Sequence, residues 1–445
     1  MYLIFDCWRL LSSRWQRSKL LRGMSLVAIA VIVACTVIVP GLSQQPVTLT
    51  MLMPAPDVPV WNQTMVAEFE QANPNIKLQI VEGPNSVDMV ENMYTTSFIL
   101  GESPYDLINM DIIWTPKFAA AGWLMDLTDE FSQAELAPLS TVAVNGGRFQ
   151  GRLYRLPVRS DAGMIYYRTD LLQQAGLPLP KTLEDLDRIA KTVQGQKLVR
   201  WGYLWQGRQY EGEAAMFVEV LHGFGGFWVN PDTLEVGLDR PEAIQAVNFL
   251  LNTIREGVSP PGVTTYVEED TRRLFQAGDA MFMRNWPYAW PLLNSDTSKV
   301  KGRVGIMPML GAAGQDSGSC LGGWGLGIVK TTRHKAAALK AIRFFTQAAG
   351  QKNFVIEAGF IPAVRSLFTD RDVVARYPHY PQLATLVDNA VLRPPVAQYA
   401  QVSDILQRYL SMALTRQRSP EAAMQAAAAE TRRLLVTSQR VKDAA

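Results

Sequence analysis

The sequence predicts an α/β protein with mixed, mostly parallel sheets flanked by helices. Three observations carry that reading. From Pro46 onward, short apolar β-rich runs alternate with amphipathic stretches of helical period. The composition, 48% hydrophobic and 19% charged over 445 residues, is that of a globular chain long enough for about two to four domains. No short-period repeat or long low-complexity tract interrupts the alternation.

The elements follow in order. Val47 to Met53 is β-rich, and Pro54 to Asp57 is a turn. Trp61 to Ala72 is helical, with Met65 and Phe69 on one face and Asn73-Pro74 as the stop. Ile76, Leu78 and Ile80 alternate with polar residues as a second strand, and Glu82 to Asn85 leaves it. A helix follows from about Val87 to Leu100. Asp106 to Met110 is a third strand, with Asp111 at its end and a helix starting near Trp114. Strands alternating with helices imply βαβ units.

Leu156 to Leu172 is the stretch around which the chain is organised. Pro157 limits the backbone to extended or turn shapes. A polar turn, Arg159-Ser160-Asp161, precedes Met164 to Tyr167, a run apolar enough for a buried strand. Asp170 is the expected N-cap of the next helix. An Arg159–Asp161 pair at a strand end suits a ligand site in an open α/β sheet, and suits a solvated surface pair equally well.

Further on, Leu183 to Val193 is a helix and Trp201 to Trp205 a strand. Gln206 to Glu213 reads as a loop, Ala214 to Leu221 as a helix, and Pro241 to Arg255 as a strongly amphipathic helix. A helix begins near Thr271, and Val304 to Met307 is a strand. Lys335 to Ala348 is helical, and Ser419 and Pro420 are the N-cap and first residue of a last helix.

The first 43 residues read as an export signal, residues 1–43. Arg14 to Arg22 is basic, Met24 to Ala34 is apolar, and turn residues follow at Pro40-Gly41. The apolar run is short for a membrane span. Ile32-Val-Ala-Cys35 resembles a lipobox, which makes Cys35 the expected lipidation site; cleavage after Ser43 is the alternative. Beyond this segment the body holds 38 basic and 40 acidic residues, a formal charge of −2, which gives no electrostatic footprint for nucleic acid. It keeps one cysteine, Cys320, so its stability rests on the core rather than on an internal disulfide.

Several chemistries score low. His222, His334 and His379 are scattered without partners at metal-ligand spacing, so no metal is expected. The glycines from Gly318 to Gly327 lack the order of a phosphate-binding loop. They suit a loop that a ligand approaches closely. Asp111 and Asp161 could act as a carboxylate pair for glycoside hydrolysis, or bind hydroxyls without chemistry. Trp286 precedes a proline and Trp324 lies among glycines, so both suit a wall for a sugar face.

Pro157 to Leu172 also resembles the "P-x-x-x-D-x-G-x-x-Y-Y-R-x-D-L-L" segment of extracellular solute-binding proteins of sugar ABC transporters, the maltose/trehalose-binding-like family. The trehalose/maltose- and glucosylglycerol-binding branch is the nearest match. Gly122-Trp-Leu-Met-Asp-Leu127, Ala280 to Trp290, Gly322 to Val329, Ile361 to Leu367 and Arg393-Pro-Pro-Val-Ala-Gln-Tyr399 resemble further elements of that family, in its order.

The resemblance implies a two-lobed periplasmic-binding-protein fold of type II with a hinge of about three crossings. Residues 47–157 with 307–357 would form the first lobe, and 158–306 with 358–445 the second. Val304 to Met307 would make the second crossing and Ile361 to Leu367 the third. Asp111, Asp161 and Arg393 would bind sugar hydroxyls. Trp286 and Trp324 would wall the pocket, and the Gly322-Gly323 backbone would donate. Arg159, standing where some relatives have Tyr, and Glu211, in a "Y-E-G" loop, are further implied contacts. Asp57 and Asn85 are ligand candidates in exit loops, with a turn role equally open.

The implied function is capture of a disaccharide or glucoside (trehalose, sucrose, maltose or glucosylglycerol) and its delivery to ABC permease subunits. The chain would work as a monomer, without cofactor or covalent chemistry, and would meet the membrane only through its N-terminal anchor. The alternatives are a secreted glycosidase or lyase using Asp111 and Asp161, and a sugar-sensing receptor.

Overall fold

The structure is a computed structural model that describes residues 46–84 and 86–443. Its strands are β1 (Val47–Pro54), β2 (Ile76–Gly83), β3 (Leu107–Asp111), β4 (Arg148–Phe149), β5 (Arg152–Leu153), β6 (Leu156–Pro157) and β7 (Arg159–Ala162). They continue as β8 (Met164–Arg168), β9 (Trp201–Leu204), β10 (Ala280–Asn285), β11 (Val304–Pro308), β12 (Leu321–Gly322), β13 (Trp324–Ile328) and β14 (Ile361–Pro362).

Two main sheets form two lobes. The first has the order β2-β1-β3-β13-β6 and the second β11-β8-β10-β9. The N-terminal βαβ units give the parallel pairs β1/β2 and β1/β3, and β9/β10 is parallel in the second sheet. Strands fed by the crossings, β13, β6, β8 and β11, add antiparallel pairs. The share of parallel pairs is therefore smaller than strand–helix alternation suggests. Alternation reports local order, whereas a strand that returns through a hinge enters from the opposite end.

The hinge is a third sheet of order β12-β7-β14. Asp161 stands opposite Gly322, and Arg159 opposite Pro362. The segments joining the lobes thus lie side by side, held by backbone hydrogen bonds. Ile361–Pro362 pairs with Arg159 and Ser160 of β7. The second crossing differs from expectation. Val304–Pro308 is a strand of the second sheet, antiparallel to β8, and it is Leu321–Gly322 that pairs with β7. A short alternating run reads the same in either sheet, and only pairing decides its place.

Arg159-Ser-Asp161 is also not a turn. It is extended, and Arg159, Ser160 and Asp161 are all buried, so the solvated-pair reading falls. Asp170 is not the N-cap of its helix, which spans Thr169–Ala175 after Arg168. Arg168 instead grips the Asp170 carboxylate with Nε at 2.8 Å and Nη2 at 2.6 Å. The expected Gln206–Glu213 loop is shortened, because the next helix runs Glu211–Gly223. The helical stretch near Trp61 begins at Val58 and contains a π-helical turn at Asn62–Val66.

Each lobe is packed around its sheet. Leu49, Met51 and Met53 of β1 join Trp61, Met65, Phe69, Phe345 and Phe354 in one core. Ile165, Tyr203, Phe217, Val247, Leu250 and the helices Tyr399–Leu414 and Pro420–Asp443 build a second, and Leu52, Tyr94, Phe98, Trp114 and Trp324 a third. Ser419 caps the last helix, accepting the Ala422 N–H at 3.2 Å. The export segment with Cys35 lies outside the described residues.

Candidate functional site

Hinge pairing brings the first group of candidate residues together. With β12 beside β7, Gly322 faces Asp161, and Trp324 on β13 faces Asp111 at the end of β3. Gly323 has φ +125°, and a Cβ there would stand 2.6 Å from the Arg159 carbonyl oxygen. Only glycine fits that close approach. At Gly322 a Cβ would meet both Asp161 Cβ and the Trp286 ring at 3.3 Å. A tryptophan from the second lobe thus lies against the hinge.

Trp286 follows β10 and is fixed on several sides. Its indole Nε1 donates to Glu268 Oε1 at 3.2 Å, and Glu268 Oε2 accepts from the Tyr210 hydroxyl at 2.6 Å. Tyr166 donates to the Trp286 carbonyl at 2.8 Å. The Arg284 guanidinium lies 4.0 Å from the ring centroid. Trp324 is packed edge-on against Trp114, with ring centroids 5.4 Å apart.

Two arginines organise the carboxylates. Arg393 puts Nη1 2.7 Å from Glu211 Oε1 and Nη2 3.4 Å from Asp111 Oδ1. Glu211 also accepts from the Tyr399 hydroxyl at 2.5 Å and from Ser403 at 2.6 Å. With both oxygens engaged, Glu211 acts here as the holder of Arg393. Arg159 lies 3.5 Å from Asp57 Oδ2 and 3.4 Å from Asp161 Oδ2, with its guanidinium 3.8 Å over the Phe360 ring. Both are ion pairs rather than hydrogen bonds, and Arg159 Nε and Nη1 and Asp161 Oδ1 are buried without a hydrogen-bond partner.

Burial sets the electrostatics. It pushes the Asp161 carboxyl up to about 7, with Asp57 and Asp111 adding and Arg159 and Arg155 opposing. Near neutral pH this carboxyl is able both to donate and to accept. Burial also raises Glu211, against the pull of Arg393, Ser403 and Tyr399.

The candidates Asp57, Asp111, Arg159, Asp161, Glu211, Trp286, Gly322, Gly323, Trp324 and Arg393 are linked through these contacts. Asn85 lies outside the described residues. Sequence reading missed Glu268, Arg284 and Arg155. Arg155 is buried beneath the site and donates to the Gly323 carbonyl at 2.8 Å and the Met110 carbonyl at 3.3 Å. Its place directly before the first crossing was the available signal. The partners of Glu268 are set by folding alone.

The arrangement is a polar and aromatic wall on both lobes. The family model for bacterial extracellular solute-binding proteins matches residues 56–352. A probable ABC transporter-binding protein of Deinococcus radiodurans is 30% identical over 357 residues, 78% of this chain and 84% of that protein. The mannitol-binding protein of Pseudomonas aeruginosa is 26% identical over 83% of this chain and 81% of its own length. Among solved structures, maltose-bound T. maritima MalE3 is 38% identical with a TM-score of 0.82, covering 87% of this chain and 100% of that one. A ribitol complex of an ABC transporter solute-binding protein from Agrobacterium radiobacter is 27% identical, with a TM-score of 0.77 and coverage of 87% and 98%. This chain belongs to the bacterial extracellular solute-binding protein family.

Proposed function

We propose that the protein captures a neutral sugar of disaccharide size in the cleft between its lobes and delivers it to an ABC permease. The carrying observation is the convergence of Asp161 and Gly322 at the hinge with Trp286 of the second lobe and, through the pairing of Trp324 with Asp111, with the end of β3 in the first. Trp286 and Trp324 offer flat apolar faces to sugar C–H groups. Asp57, Asp111, Asp161 and Arg393 supply hydroxyl partners, and Arg159 adds nitrogens that are ion-paired but make no hydrogen bond. Groups on both lobes meet the ligand together only when the cleft is shut, so binding favours closure. The likeness to maltose-bound MalE3 at 38% identity supports a disaccharide. Trehalose, sucrose, maltose and glucosylglycerol are the ligands we put forward.

In this reading the N-terminal segment directs export, Cys35 carries the lipid anchor and no covalent chemistry occurs. The lobe division we propose places the return to the first lobe at Leu321–Gly322. The test is calorimetric titration of residues 44–445 with the four sugars, mannitol and ribitol, beside Asp161→Ala and Trp286→Ala. One-to-one binding of one sugar, lost in both variants, is the expected result. Absence of binding to every compound, or heat that continues as a sugar is consumed, would overturn the reading.

A further inference from the structure

The end of the first lobe away from the cleft carries apolar and basic groups that the fold leaves in solvent. Helix Val87–Ile99 ends with Ile99 and Leu100, 70% and 75% exposed, the two most exposed large apolar side chains among the described residues. A single exposed leucine is ordinary, but this pair has neighbours. Phe98 packs against the half-buried Trp123, with ring centroids 5.3 Å apart. The Trp123 carbonyl accepts the Lys330 N–H at 2.9 Å, which sets the loop Lys330-Thr-Thr-Arg-His-Lys335 beside it. Lys330 and Arg333 are exposed and make no ion pair among the described residues, while Lys335 is paired with Glu130 at 2.6 Å. Glu102, in the helix exit, is an exposed acid at this end, and Asp106 is engaged by the Thr332 hydroxyl and the Thr50 N–H.

Strand register shows which end this is. β3 begins here with Leu107 and finishes at the cleft with Asp111. β13 runs the other way and finishes here, with Ile328 opposite Leu107, shortly before Lys330. β1 is parallel to β3, with Met51 opposite Leu107, and it starts with Val47. At the usual rise of a strand, Val47 lies about 13 Å farther from the cleft than Leu107. The chain therefore enters the first lobe at the end that carries Ile99, Leu100 and the basic loop. The residues before it include the basic run Arg14 to Arg22 and the apolar run Met24 to Ala34, read above as an export signal.

We infer that this end of the first lobe rests on the surface of an anionic bilayer. The inference rests on the reading that the N-terminal segment keeps the protein at the membrane, and adds to it a contact made by the folded body. The chemistry selects the partner. Ile99 and Leu100 suit the boundary between headgroups and acyl chains, Trp123 is the residue type that sits at that boundary, and Lys330 and Arg333 suit lipid phosphates. A second copy docked through the same face would set these cations against each other. An anchored chain holds the surface near the bilayer at high effective concentration, so a weak contact suffices. The cleft lies at the other end of β3, and a lobe held in this way leaves it open to sugar.

The test is hydrogen exchange, read by mass spectrometry, on the full chain in vesicles of phosphatidylcholine alone and of phosphatidylcholine with phosphatidylglycerol. Segments 97–102 and 330–335 should exchange about fivefold more slowly on the anionic vesicles, since each Lys or Arg near an anionic surface contributes about that factor. The turn at 223–226 in the second lobe is the control and should exchange equally on both. Lys330→Glu with Arg333→Glu, and separately Ile99→Ser with Leu100→Ser, should remove the difference. All four side chains are exposed, so the fold tolerates these changes. Equal exchange on the two vesicle types overturns the inference, as does a difference that persists in either double variant. Slowing that also appears in detergent micelles and grows with protein concentration marks a contact between copies, and overturns it too. If the full chain does not float with vesicles, the anchoring reading fails and the surface falls with it. If it floats but the two segments exchange alike on both, the surface alone falls.

Discussion

Arg284 and Glu219 form a fully buried two-point ion pair, Nε to Oε2 at 2.7 Å and Nη2 to Oε1 at 2.8 Å, with neither side chain exposed. The same Glu219 Oε1 accepts the Cys320 N–H at 3.0 Å, just before the hinge strand β12. Gly163, between β7 and β8, has no room for a Cβ because the pair fills that space. Arg284 also underlies Trp286. One pair therefore supports both the hinge and the tryptophan that faces it.

Removing one partner strands a buried charge. Glu219→Gln is expected to cost about 3–5 kcal/mol, and the double change Glu219→Leu with Arg284→Met to recover most of that loss. Urea unfolding at pH 7 measures both. Equal stability of the single variant and the unchanged protein would contradict this account.

Asp161 makes stability depend on pH. Its carboxyl sits at about 7 in the folded protein, against about 4 in an unfolded chain. Between those values the folded state holds more protons, so the sugar-free protein loses stability as pH rises through that window. Asp161→Asn has no proton to lose. Its melting temperature should match the unchanged protein near pH 4 and exceed it at pH 8, by on the order of 1 kcal/mol or more in stability. Parallel melting curves at all pH values would refute the assignment.

Gly323→Ala should destabilise by about 1–3 kcal/mol, because φ +125° is strained for alanine and its Cβ would meet the Arg159 carbonyl oxygen. The same change displaces β7 from β12, so sugar binding should fall with it. Chemical unfolding and calorimetry report the two effects.

Arg393→Lys should weaken sugar binding about tenfold or more. A guanidinium spans Glu211 and Asp111 at once, and an ammonium does not. X-ray scattering with and without sugar should show less closure of the variant at equal sugar concentration. An unchanged affinity would mean that the bridge is incidental.

Much of this protein was legible in its sequence because it depends on local pattern. Helix Pro241–Arg255 was bounded by Pro241 at its start and a clear apolar stripe. Strand β8 was marked by Met164 to Tyr167, whereas the glycines at 322 and 323, read as a loop open to ligand, are closely approached by the protein's own β7 backbone. These are properties of propensity, period and backbone freedom, which a short segment carries by itself.

Only the tertiary structure decided the rest. Arg393 meets Glu211 from 182 residues away and Asp111 from 282 residues away. Arg284 finds Glu219 across 65 residues. Val304–Pro308 joined the second sheet, and Arg159-Ser-Asp161 became a buried hinge strand rather than a turn. In each case the outcome is a long-range pairing of charges or strands. Its energy depends on what burial removes from water and which partner replaces it, and neither is encoded in the local run of residues.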